Sequence, residues 1–328
     1  MERPSVLPDT DSTAGGMVNV PTAWCQVMGT GIAEKYYSVN GIRTRALEAG
    51  SGHPLILLHG TGGHAETYLR NIGPLSQHFR VLAIDMVGHG YTDKIDGDYT
   101  MDVFADHVAA LIDTIGAEKA FLSGESLGGG VACWTALKYP DKVRALSLNT
   151  GILARPDEKG LADLADIEAR TEQLAQNFTA ETVRRRLEWL VYDPASITDE
   201  MVQIRLKVYS QPGMTQTMVK VMKTVLQMNR AAFGDTDYYD HTLAQIKCPT
   251  LVIWTDHNPG KSFEAVKPAI DSIPDVEVHL LEGAGHWPQW EKPDEVNARM
   301  IDFLSRVVAS MRYRLSDNPS AHPTSNHG

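Results

Sequence analysis

The segment Gly124-Glu125-Ser126-Leu127-Gly128 follows a short apolar run, residues 119–123, and precedes a helix-length segment. A serine hydroxyl is a weak nucleophile at neutral pH, and a sharp strand-to-helix turn holds it where a histidine can take its proton. Glycines on both sides of Ser126 permit that turn, and the amides opening the next helix can stabilise an oxyanion. Ser126 is therefore the candidate nucleophile. Its base is expected in Gly283-Ala284-Gly285-His286-Trp287, where His286 occupies a glycine-flanked loop directly after the last predicted strand. The group that orients His286 should lie in Thr255-Asp256-His257-Asn258-Pro259. Asp256 is the single carboxylate there and the candidate acid. Asn258 competes with it, since an amide can orient an imidazole but stabilises its positive charge less. The oxyanion hole needs one amide from Leu127, the residue after the nucleophile. A second should come from His59-Gly60-Thr61-Gly62-Gly63-His64, and Thr61 is assigned that role.

These residues can meet only if an architecture gathers strand ends on one edge. Residues 34–39 and 42–47 flank Asn40-Gly41, the strongest short hairpin signal. Residues 54–59, 80–85, 119–123 and 143–149 are short apolar runs ending in polar or glycine-rich residues and alternating with helix-length segments. That alternation predicts an α/β fold, a mostly parallel sheet flanked by helices. The C-terminal strand ends of such a sheet share one edge, which brings Ser126 and His286 together. The strand pattern stops near residue 153 and resumes at 249–254 and 276–281. Between them apolar residues recur at helical spacing, as in Met214, Met218, Met222 and Leu226. The expected organisation is a tail of low order over 1–30, a core over 31–152 and 244–310, a helical cap over 153–243, and a second tail over 311–328.

Among 328 residues, 43% are hydrophobic, enough for a packed globular core, and the formal net charge is −11 with no long Lys/Arg run. That balance opposes nucleic acid as a partner. Cys25, Cys133 and Cys248 are odd in number and lack paired spacing, so a reduced cytoplasm is the expected location. The sequence shows neither a secretory signal at Met1 nor an apolar stretch of membrane-spanning length. No cofactor or metal is implied, because no dinucleotide fingerprint or ligand cluster appears. The expected partner is a small-molecule substrate, and the expected assembly a homo-oligomer, dimer or tetramer.

In its His59-Gly60-Thr61-Gly62 loop, Asp85-Met86-Val87-Gly88-His89-Gly90, the Ser126 elbow and Gly285-His286, the chain resembles the α/β-hydrolase family over about residues 32–310. It looks most like the branch of meta-cleavage-product hydrolases, which cut a carbon–carbon bond in ring-fission products of aromatics. Residues 285–291 carry that likeness, with Tyr192-Asp193-Pro194 and Ile204-Arg205-Leu206. The resemblance implies that Arg205 contacts a substrate's acidic end. Arg205, Trp287, Trp189, Met214 and Met218 are the candidate substrate-binding residues, the methionines forming one helix face that adapts to varied ligand shapes. The chain departs from the branch at Glu125, where Asn is usual, and at Thr61-Gly62-Gly63-His64. The branch's acid normally lies four residues past the strand-ending aromatic, which is Asn258 here. The chain is also similar to bacterial lactonases that open the ester ring of the macrolide zearalenone. The reading that follows is a serine hydrolase opening an ester or lactone of an aromatic, largely apolar substrate. Carbon–carbon cleavage of a ring-fission acid is the alternative, and a hydrolase-fold ligand receptor the alternative of another class. Dehalogenase and epoxide hydrolase chemistry are set aside, since both need a carboxylate at the Ser126 position.

Overall fold

The computed structural model describes residues 22–154, 158–177, 179–234 and 240–316. Eight strands form one sheet: β1 (Ala33–Val39), β2 (Ile42–Ala49), β3 (Pro54–Leu58), β4 (Arg80–Ile84), β5 (Ala120–Glu125), β6 (Val143–Asn149), β7 (Thr250–Thr255) and β8 (Val276–Leu281). Their order is β1-β2-β4-β3-β5-β6-β7-β8, antiparallel at β1/β2 and β2/β4 and parallel elsewhere. The opening hairpin turns at Asn40 (φ 49°) and Gly41 (φ 83°), left-handed values that an Asn-Gly pair adopts at low cost.

Successive side chains of a strand point to opposite faces, so a sheet covered on both sides needs apolar residues at every position. Strands β3, β4 and β5 meet that need. Ile56, Leu58, Leu82, Ile84 and Leu122 pack into one core, against helices Met101–Thr114 and Leu127–Lys138. Their neighbours Leu55, Leu57, Val81, Ala83 and Phe121 pack into a second core, against Leu69–Ser76 and Pro293–Ser316. Between β6 and β7 the regular elements among the described residues are helical: Glu158–Gln176, Ala180–Glu188, Asp199–Tyr209, Met214–Gly234 and the short Asp240–Leu243, with a 3-10 turn at Pro194–Ser196. Val183, Leu187, Leu190, Val202, Val208 and Met214 form a separate cluster there, joined to the main body through Trp287 and Trp290.

Helices occupy parts of the two segments expected to be of low order. Ala23–Val27 is helical within the 1–30 segment, because Ala23 and Val27, four apart, share a face that packs on the second core. The last helix runs to Ser316, past residue 310, and Arg144 Nη1 donates to the Met311 sulfur at 2.8 Å. Residues 1–21 and 317–328 lie outside the described residues. No helix among the described residues is long and apolar enough to cross a membrane.

Candidate active site

Ser126 stands between β5 and helix Leu127–Lys138 with φ 54° and ψ −119°, a conformation that a non-glycine residue adopts only when its surroundings impose it. The imposing contacts come from the helix pressing on the sheet. A Cβ on Gly128 would lie 2.0 Å from the Leu58 carbonyl oxygen, and one on Gly124 2.2 Å from the Gly128 carbonyl. Only glycine fits at both positions, so the turn is tight and the serine side chain is thrown out at the strand edge. The start of the helix follows at once, and amides in a helix's first turn lack intrahelical partners.

His286 reaches the same edge from the loop after β8. The loop is pinned from three sides. Thr150 Oγ1 donates to the His286 carbonyl at 2.8 Å, Thr255 Oγ1 donates to the Gly285 carbonyl at 2.8 Å, and the His286 amide donates to Leu190 at 2.6 Å. His286 Nδ1 faces Asn258 Oδ1 at 2.6 Å. The orientation of that amide is fixed by its other end, since Asn258 Nδ2 donates to the Lys261 carbonyl at 2.8 Å. Its oxygen therefore meets the ring, Nδ1 carries the proton, and Nε2 is left free to accept one. Nε2 faces the turn that bears Ser126, 3.4 Å from Glu125 Oε1.

This geometry corrects the expectation for Asp256. Its carboxylate accepts the Gly283 amide at 3.0 Å and the Ala284 amide at 3.4 Å, and pairs with His257 Nδ1 at 2.8 Å. Against a burial penalty, these partners hold its pKa at about 2. Asp256 thus shapes the histidine loop from outside, and an amide stands where a carboxylate was expected. His286 has no negative partner on Nδ1. Burial, then the positive charges of Arg186 and Lys261, lower its pKa to about 3.

A cavity of about 150 Å³ opens over Ser126 and His286. Thr61 and Leu127 line it, as do Trp189 and Trp287, each of which the sequence singled out. Arg205 does not line it. Its Nη1 donates to the Gly62 carbonyl at 2.5 Å and to the Tyr209 hydroxyl at 3.2 Å, bracing a cap helix on the Thr61 loop. Met214 and Met218 also differ from expectation. They are buried in the cap cluster, and only the next member of the stripe, Met222, reaches the cavity wall, beside Val225.

Three cavity residues are ionisable groups that the sequence did not point to. Arg186 lines the cavity with its Nη1 buried and without a hydrogen-bond partner, and burial lowers its pKa. Lys261 donates to the Ala154 carbonyl at 2.7 Å, and burial brings its pKa to about 8. Glu125 is buried and accepts the Gly60 amide at 2.8 Å; burial pushes its pKa up to about 8. A signal for Arg186 existed, for it shares the helix stripe of buried Val183 and Leu187, where a solvated arginine has no place. The motif residues His59, Asp85 and His89 are structural. Asp85 accepts the Ala65 and Tyr91 amides and pairs with Arg45, while the rings of His59 and His89 pack at 4.9 Å.

Taken together, Ser126, His286, Asn258, Thr61 and Leu127 line one cavity, with the tautomer of His286 set by Asn258. The chain is 30% identical over 272 residues to a 2-hydroxy-6-oxononadienedioate/2-hydroxy-6-oxononatrienedioate hydrolase of Burkholderia vietnamiensis, covering 81% of this chain and 92% of that one. It is 31% identical over 266 residues to a 2-hydroxy-6-oxo-6-phenylhexa-2,4-dienoate hydrolase of Comamonas testosteroni, covering 78% and 89%. Among solved structures, a serine hydrolase involved in carbazole degradation superposes with a TM-score of 0.71 at 27% identity, covering 84% of this chain and 99% of the other. A family model for the alpha/beta hydrolase fold matches residues 53–293, and the chain belongs to that family.

Proposed function

We propose that this protein is a serine hydrolase that cleaves an acyl bond in an aromatic or polyunsaturated substrate bearing a carboxylate, with carbon–carbon cleavage of a ring-fission acid as its reaction. Arg186 carries this reading. A guanidinium with a buried, unpartnered Nη1 on the wall of the Ser126 cavity is a binding group waiting for an anion, and Lys261 adds a second cation. The relatives that act on dienoates support the same substrate class. In the proposed sequence Ser126 Oγ attacks the substrate ketone and its proton passes to His286 Nε2. The Thr61 and Leu127 amides hold the oxyanion. As the tetrahedral species collapses, the carbon–carbon bond breaks and its electron pair leaves with the dienoate fragment, which takes the proton from His286. Water, activated by the same nitrogen, then releases the acyl group from Ser126.

A second reading, opening of a neutral aryl ester or macrolactone, is favoured by Arg205. The residue that the branch uses for an acidic end is spent on Gly62 and Tyr209. Arg186→Gln separates the two. For a carboxylate-bearing dienoate we expect a loss in kcat/KM of about 2–4 kcal/mol, and for a neutral aryl ester less than about 1 kcal/mol. Equal, small losses on both substrates, with the neutral ester the better substrate, would overturn the dienoate reading in favour of the lactone.

A further inference from the structure

Nothing in the triad compensates the positive charge that His286 must take up. Its Nδ1 partner is the amide of Asn258, so proton transfer from Ser126 would place an imidazolium in a buried site already holding Arg186 and Lys261. Coulomb repulsion among like charges in such surroundings is strong, which makes the missing counter-charge a large deficit. Among the described residues one carboxyl group is near enough to supply it. Glu125 immediately precedes the nucleophile, is 2% exposed, and spans two parts of the machinery. Its Oε2 accepts the Gly60 amide at 2.8 Å and its Oε1 stands 3.4 Å from His286 Nε2. We infer that Glu125 is the counter-charge of this centre, replacing on the Nε2 side of His286 the carboxylate that Asn258 lacks on the Nδ1 side. The inference rests on the hydrolase reading and assigns Glu125 as a positioning residue that acts through His286.

The resting contact is between uncharged groups. Burial raises the Glu125 carboxyl to about 8 and lowers His286 to about 3, so between those values neither is ionised. The groups facing Glu125 come from every element around it. They are the Gly60 amide from the loop after β3, Tyr68 from the short turn beyond it, Arg186 and Arg205 from the cap helices, and His286 with Trp287 from the loop after β8. The two arginines and the Gly60 and Trp287 donors favour the carboxylate but do not outweigh burial. Once Glu125 ionises, its charge lies beside Nε2 and makes His286 a stronger base. The Ser126 proton moves to Nε2, the Oγ–acyl bond forms, and the imidazolium then faces a carboxylate. Ser126 should therefore become more reactive as pH rises through the ionisation of Glu125.

The test is the second-order rate of phosphonylation of Ser126 by a fluorophosphonate, followed by intact mass from pH 6 to pH 10, which needs no knowledge of the substrate. Glu125→Gln keeps an oxygen for the Gly60 amide but cannot ionise. We expect the wild-type rate to climb by about tenfold or more above pH 8, and Glu125→Gln to climb by no more than about threefold, the part that loss of charge on Lys261 beside His286 supplies. A variant that climbs like wild type, or one slowed equally at every pH as a packing defect would be, overturns the inference. Imidazole 15N shifts of His286 in the wild-type protein give a second readout that does not depend on the variant folding. They should move with a midpoint near that of the rate, and an unresponsive ring overturns the inference. A wild-type protein unlabelled at every pH would instead bring down the hydrolase reading and this inference with it.

Discussion

Replacing Asn258 with Ala removes the acceptor from His286 Nδ1 and the donor from the Lys261 carbonyl in a single step. The hydrogen bond to the ring joins two uncharged groups, and leaving a buried N–H unpaired costs about 1–3 kcal/mol. If that cost falls on the transition state, the rate drops roughly 5- to 150-fold. The range lies well below the roughly 10⁴-fold loss seen when a charged orienter is neutralised. Asp256→Asn tests the other loop residue. Its carboxylate accepts the Gly283 and Ala284 amides from a side chain 31% exposed, and asparagine keeps one accepting oxygen. We expect kcat within about threefold of wild type and a stability loss under about 1.5 kcal/mol. The assay is steady-state hydrolysis of a p-nitrophenyl ester by both variants, with urea unfolding to hold stability in view. Inactivity of a folded Asp256→Asn protein beside a near wild-type Asn258→Ala protein would refute the assignment of the amide.

Three further outcomes follow from the same contacts. Arg205→Ala removes the cap brace on Gly62, so it should lower stability by about 1–3 kcal/mol in urea melts and slow neutral and anionic substrates alike; a loss confined to anionic substrates would return Arg205 to the binding site. Gly128→Ala would drive a Cβ to 2.0 Å from the Leu58 carbonyl, and since backbone cannot yield cheaply we expect a loss of more than about 3 kcal/mol by thermal melting, or no folded protein at all. His286 has a folded pKa of about 3, below its unfolded value of about 6.5, so its contribution to stability is complete above pH 6.5 and is lost as pH falls toward 3; unfolding free energies of wild type and His286→Gln should converge over that window, and parallel curves would contradict it.

The meeting of Ser126 and His286 at one cavity was legible because each residue is announced locally. Glycines around Ser126 and His286 mark backbone that must turn sharply or lie close to a neighbour, and the sheet topology carries both to one edge. The position of the orienting residue was legible only through the family resemblance, which points to Asn258; residue type alone favoured Asp256, two positions away, and the path of the loop after β7 decides which faces the ring. Hydrogen bonds from Gly283 and Ala284 turn Asp256 outward, and no property of its own sequence position encodes them. The cap arginines differ, because the apolar stripe of Val183 and Leu187 carries a signal for Arg186 that residue type alone hides. Arg184-Arg185-Arg186 looks like a solvated run, yet Arg184 binds the Ile197 carbonyl, Arg185 stays exposed, and Arg186 turns into the cavity. Helical periodicity located the methionine stripe but not its boundary. Met214 and Met218 are buried in the cap cluster, the Met218 methyl lying against Gly62, while Met222, one turn further along, faces the cavity.

The central claim, that Ser126 forms the covalent intermediate, is tested most directly by quenching the protein in acid during turnover of a slowly deacylating aryl ester and mapping the adduct by peptide mass spectrometry. We expect one acyl group per chain on the peptide containing Ser126, its absence from Ser126→Ala, and much slower formation in His286→Ala. An adduct on another residue, or the same adduct yield in Ser126→Ala, would contradict the account.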